Sequence, residues 1–217
     1  GGANSCVPTT LANSYLYLQR AFGLNLVPTS VRATAINVGT NYTWTHSAWG
    51  TDGSDWIRGN RAYLDARRFT HAPTGAMYAL HNGGEAWVTR DTPTFAFAWS
   101  WLVRSGAVTV GVSSGAGGGH AMLLTGVDWT DADSDGTLDL SEGATLRFID
   151  PALPDAPTTL AVWQDASGGA PRLSGGNAYA SSIVFSVTLV TGTIPAPGAA
   201  GTLLAAGALA ARRRRVR

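Results

Sequence analysis

Three side chains in this sequence are suited to covalent chemistry: Cys6 in NSCVPTT, His120 in GGGHAMLL and Asp150 in FIDP. A thiolate attacks carbonyl carbon, an imidazole carries the proton, and a carboxylate holds the imidazole in position. Cys6 is the sole cysteine, so the chain forms no internal disulfide and the thiol is free to react. The bland reading of Cys6 is a small buried apolar residue. Its place at a helix start favours the reactive one, because the positive end of the helix dipole stabilises a thiolate.

The elements that carry these residues follow from the apolar pattern. Leu11, Tyr15, Leu18 and Phe22 recur at spacings of four, three and four, the signature of one buried helical face. Pro8 suits a first helical turn, where its missing N–H costs little. Residues 121–127 and 144–149 are short apolar runs on either side of an acidic turn at 131–142, and together they predict an antiparallel hairpin. Facing residue numbers in such a hairpin add to about 273, and His120 and Asp150 add to 270. The imidazole and the carboxylate are therefore expected together at the open end of the hairpin.

With these pieces in place, the chain resembles a papain-like cysteine peptidase of the bacteriocin-leader-processing (double-glycine) kind. The matching segments are NSCVPTTLAN, GGHAMLLTGVD and FIDP, in that order. The resemblance implies an α+β fold in which an N-terminal helix bearing the cysteine lies on an antiparallel sheet bearing histidine and aspartate. It implies Cys6 as nucleophile, His120 as general base and acid, and Asp150 as orienting group. The family uses a glutamine about six residues before the cysteine as an oxyanion donor, and that position falls one residue before Gly1. Asn4 is the substitute on offer.

The acidic turn has its own chemistry. Asp131, Asp133, Asp135, Thr137, Asp139 and Glu142 fall at positions 1, 3, 5, 7, 9 and 12 of a calcium loop of the EF-hand type, with Gly136 at the sharp bend. Five carboxylates this close repel one another without a cation; an acidic solvated turn is the alternative. Strands flank the loop, so a structural calcium that pins the hairpin is expected.

The rest of the chain sets bounds. A length of 217 residues with 45% hydrophobic and 13% charged residues suits one domain with a real core, here 1–192. The net charge of +1 includes five arginines at 212–215 and 217, so the body is acidic, and no basic patch argues for nucleic acid. A second short helix is expected from Ser30 to Ile36, and a third over 55–69 capped by Ser54. Residues 39–56 are rich in Gly, Thr, Ser and aromatics, and Trp44, His46 and Trp49 are expected to line a cleft. His46 with Asp52 and Asp55 is a loosely spaced metal candidate. Residues 76–90 suggest strand or loop with a turn at 82–84, and His71 and His81 are taken as structural or exposed. Residues 94–104 read as helix, although alternating Phe95, Phe97, Trp99 and Trp101 equally suit a strand. Strands are expected at 107–112, 159–163 and 183–190, and the Gly-rich loop before His120 admits a substrate backbone.

Residues 193–217 form a distinct tail: a Pro-x-Pro element, an Ala/Gly/Leu run and the arginine cluster. Fourteen helical residues span about 21 Å, short of a roughly 30 Å hydrocarbon core. The tail resembles a PEP-CTERM sorting signal, with Ala196 where the motif has glutamate. That resemblance implies export, transient association with the inner membrane, removal of the tail by an exosortase-type enzyme, and a cell-surface or extracellular protein. The expected function is peptide-bond hydrolysis on a peptide or protein substrate. Acyl transfer of the transglutaminase or amidase type and a non-catalytic calcium-stabilised surface module are the alternatives.

Overall fold

The apolar spacing of the N-terminal segment produces helix α1 (Cys6–Phe22), with Leu11, Tyr15 and Leu18 wholly buried. The computed structural model describes residues 4–67, 77–79, 88–89, 94–113, 119–135, 142, 144–153, 159–164, 171–174 and 183–190. Pro8 lies in the first turn of α1, and the helix ends at Gly23, whose φ of 69° is the left-handed conformation that glycine adopts without strain. Helix α2 (Val31–Asn41) starts where expected, with the Ser30 hydroxyl accepting the Ala33 N–H, but runs five residues past Ile36. Helix α3 (Gly53–Ala66) is capped by Asp52, not Ser54: the Asp52 carboxylate accepts both the N–H and the hydroxyl of Ser54. A carboxylate suits this position better than a hydroxyl because it also meets the helix dipole.

Helix α4 (Phe95–Leu102) resolves the ambiguous aromatic run in favour of helix. The Thr94 hydroxyl accepts the Phe97 N–H, and Phe95 lies over Trp99 one turn on, at 6.4 Å. Phe95 also meets the edge of Trp163 on the sheet at 5.9 Å.

The strands are β1 (Met77–Ala79), β2 (Val88–Thr89), β3 (Ala107–Ser113), β4 (Gly119–Asp128), β5 (Thr145–Ile149), β6 (Thr159–Gln164), β7 (Arg172–Ser174) and β8 (Ile183–Val190). They form one sheet in the order β2-β1-β8-β3-β4-β5-β6-β7, and β7 pairs again with β8 through Arg172 and Ile183. Six strands, β8 to β7, thus close on themselves. All their pairings are antiparallel; β1 and β2, the described strands of the 76–90 segment, pair in parallel. The class is α+β, helices with an antiparallel sheet.

Side chains alternate between two cores, as strand geometry requires. Val108, Val110, Met122, Leu124, Leu146 and Phe148 belong to a cluster with Phe95 and Trp163. Ala107 and Ala121 face the other way and belong to a cluster with Leu11, Tyr15, Leu18 and Trp56. These two alanines are small, which lets α1 lie close to β3 and β4. Within the helical layer, Tyr15 and Tyr63 stack at 4.7 Å, and their hydroxyls donate to Asn60 Oδ1 and to the Leu26 carbonyl.

His71, His81, the turn at 82–84, the Gly-rich loop 114–118 and the tail 193–217 lie outside the described residues. No helix of the described residues is long and apolar enough to cross a membrane.

Gly59 is where α3 crosses the segment leading to the 44–50 loop. A Cβ there would lie 2.7 Å from Thr43 Cγ2 and closer still to the Tyr42 carbonyl. Gly59→Ala is therefore expected to destabilise the fold by about 1–3 kcal/mol through overpacking against main chain. A denaturant midpoint equal to wild type would show that the helix shifts freely.

Candidate active site

The site is set by where β5 stops. Strand β4 pairs with β5 from Asp128, opposite Thr145, to Leu123, opposite Ile149, with a register shift between Leu124 and Gly126. The offset is 273 on the turn side, as the hairpin arithmetic requires, and 272 beyond the shift. The chain then leaves the sheet at Asp150 and turns, with the Leu153 N–H donating to the Asp150 carbonyl and the Ala152 N–H to Asp150 Oδ1. Strand β4 continues past this point to His120 and Gly119.

This geometry makes His120 the diagonal neighbour of Asp150. His120 Nε2 lies 2.7 Å from Asp150 Oδ1, and the Asp150 side chain is fully shielded from solvent. With Nε2 engaged by the carboxylate, the ring presents Nδ1 to its other partner, Cys6.

Cys6 is the first residue of α1 and is half-buried. Burial pushes its thiol pKa up. The hydrogen bond to His120, the charge of His120, and the main-chain N–H groups of Ala121 and Val7 together bring it below the ordinary value of 9.0. His120 moves the opposite way. Burial pulls it down, but hydrogen bonds to Asp150 and Cys6 and the charges of both raise it from 6.5 to about 9. The two shifts agree in direction: each favours a thiolate paired with an imidazolium. The three residues singled out from the sequence are therefore brought together.

A second element locks α1 to β4. The Thr10 hydroxyl, buried and one turn beyond Cys6, donates to the Ala121 carbonyl at 2.9 Å. Nothing in the sequence pattern marks this residue beyond its spacing of four from Cys6.

Asn4, the expected oxyanion donor, uses its Nδ2 to donate to the Ser47 carbonyl at 2.6 Å. That bond ties the 44–50 loop to the segment just before Cys6. The loop closes on itself through paired main-chain bonds between His46 and Gly50. His46 stacks flat on Trp49 at 3.3 Å, and its Nδ1 accepts the Ala48 N–H. Trp49 and Trp44 are 75% and 63% exposed, so the aromatic segment does flank the Cys6 segment at the surface. The suggested grouping of His46 with Asp52 and Asp55 does not form a metal site, because the Asp52 carboxylate is taken up in capping α3.

At the far end of the hairpin, carboxylate oxygens of Asp131, Asp133 and Glu142 lie within 4.8 Å of one another, the group of metal-binding side chains that converges among the described residues. Glu142 Oε1 also accepts the Ala132 N–H, and Asp133 Oδ1 the Asp135 N–H. Thr137 and Asp139 lie outside the described residues. Trp129, at the base of the turn, meets Trp99 of α4 edge-on at 4.9 Å.

No family model, curated protein or solved structure matches this chain.

The ion pair dictates two pH responses. The midpoint for alkylation of Cys6 by iodoacetamide is expected below 9.0, and His120→Gln should move it up, since the hydrogen bond and charge of His120 are lost while burial and the Ala121 and Val7 N–H groups remain. His120 has a raised folded pKa, so its contribution to stability is whole below about 6.5 and is lost as pH rises through about 9. The gap in urea midpoint between wild type and His120→Gln should therefore narrow from pH 7 to pH 10. A gap that widens over that range contradicts the pairing.

Proposed function

We propose that this chain is a cysteine peptidase of papain-like plan, with Cys6, His120 and Asp150 as its catalytic residues. The observation that carries the reading is the continuous contact from thiol to imidazole to buried carboxylate. The Cys6 thiolate attacks the substrate carbonyl carbon, and the C=O electron pair moves onto oxygen. The Cys6 main-chain N–H, one of the helix-start donors without an intrahelical partner, supports that oxyanion. Asn4 supplies a further amide hydrogen beyond the one given to Ser47. His120 gives its proton to the departing amine as the C–N bond breaks and the thioester remains. Water then attacks the thioester, with His120 taking its proton, and the thiolate is released. Asp150 keeps Nε2 engaged, so that Nδ1 does the proton transfer.

In the same reading, Asp131, Asp133, Asp135, the Thr137 carbonyl, Asp139 and Glu142 hold a structural calcium. The convergence of three of these carboxylates at positions 1, 3 and 12 supports it. Eight residues of β4 separate His120 from Asp128, about 26 Å, so the ion does not reach the chemistry. The tail sequence supports export, a surface or extracellular location, and removal of 193–217 by an exosortase-type enzyme.

Cys6→Ala is expected to abolish both hydrolysis of an unstructured protein substrate and labelling by a thiol-directed probe, and His120→Ala to cut both by at least about 100-fold. Probe labelling of His120→Ala at the wild-type rate would rule out an activated thiol and leave a non-catalytic surface module. Including an amine acceptor separates the chemistries: a coupled product in place of a free acid marks an acyl transferase.

Calcium is expected to raise the thermal midpoint, by mass action on the folded state, and Glu142→Gln to remove that increase without changing the rate at saturating substrate. An unchanged midpoint on titration from chelator to millimolar calcium would refute the site.

A further inference from the structure

We infer that Thr10 is a positioning residue for the Cys6–His120 pair, an inference that rests on the catalytic reading of Cys6. In an antiparallel strand the N–H and C=O of one residue point to the same side. Strand β5 pairs with β4 only as far as Leu123, so the outer edge of β4 at Ala121 has no β5 partner beside it. Helix α1 takes the place of the missing strand. Thr10 gives its hydroxyl hydrogen to the Ala121 carbonyl, and Cys6, four residues earlier on the same helical face, receives the Ala121 N–H.

The spacing makes this a two-point attachment. Residues four apart on a helix stand about 5–6 Å apart on one face, so both side chains can converge on the two polar groups that one strand residue offers on the same side. A lone hydrogen bond at sulfur would leave α1 free to pivot about it. With Thr10 fixed as well, the helix is held in translation and rotation against the residue that follows His120. Threonine in a helix usually bonds back to the carbonyl four residues before it, here that of Cys6. Its use instead across 111 positions of sequence points to an inter-element role. Thr10 and Ala121 are both fully buried, so water does not substitute for the bond.

The test compares wild type, Thr10→Val and Thr10→Ser in the full chain. The measurements are the pH dependence of iodoacetamide alkylation and the thermal midpoint. Valine keeps the shape and loses the hydroxyl; serine keeps the hydroxyl. Losing one buried hydrogen bond of about 1 kcal/mol is worth roughly a fivefold change in equilibrium. Thr10→Val is therefore expected to alkylate about fivefold more slowly at pH 6 and to have its midpoint shifted upward. Thr10→Ser should restore the wild-type profile. A Thr10→Val protein that melts earlier but titrates like wild type overturns the positioning role and leaves the catalytic reading standing. A wild-type thiol that titrates at its ordinary value overturns both. Thr10→Ala gives the same comparison if valine is not accommodated.

Discussion

A carboxylate with no solvent-exposed side-chain surface survives in a protein interior only beside a cation and a set of donors. Asp150 is such a group, and the surrounding structure answers its demand at Oδ1, while Oδ2 is buried with no hydrogen-bond partner among the described residues. The turn that ends β5 supplies the Ala152 N–H, and β4 supplies an imidazole whose proton is held because of the carboxylate. The retained proton in turn favours a charged sulfur on α1. Charge therefore alternates along the row of carboxylate, imidazolium and thiolate, and each member holds the next in its ionised form. Taking out the middle one would leave the buried Asp150 carboxylate without its cation and the Cys6 thiol without the partner that most lowers its pKa.

The sheet makes room for this row by being uneven. Were β5 as long as β4, the strand edge at Ala121 would be filled by main chain, and the helix would have no place beside it. The closed arrangement of six strands gives the alternate face of β4 its own apolar filling, Met122 and Leu124 among it. The helix side is left to small residues such as Ala107 and Ala121. Close approach of α1 is thus a matter of side-chain volume as much as of polar contact.

Much of this was legible in the residues. The helical period of Leu11, Tyr15 and Leu18 is strong because each is wholly buried, and the hairpin register followed from the length of its turn. The weaker inferences were limited for local physical reasons. Ser54 and Asp52 are both competent caps, and only the backbone at Asp52 chooses the carboxylate. The run from Phe95 to Trp101 is the helix it was read as, although its nearly continuous apolar character let strand alternation fit as well. The parallel pairing of β1 with β2 was not read from the sequence, because parallel pairing carries no turn signature. Thr10 was invisible because its partner is a main-chain carbonyl, and any residue type would have supplied one.

The register shift between Leu124 and Gly126 has a further consequence. It divides the hairpin into two segments with separate bookkeeping of inward and outward residues. On the acidic side, the register runs unbroken from Gly126, opposite Arg147, to Asp128, opposite Thr145. On the other side no slack remains: one residue inserted between it and His120 would turn the ring through the sheet. The two ends of a single strand thus answer to different constraints: the spacing of carboxylates at the tip, and the side of the sheet on which the ring emerges at the mouth.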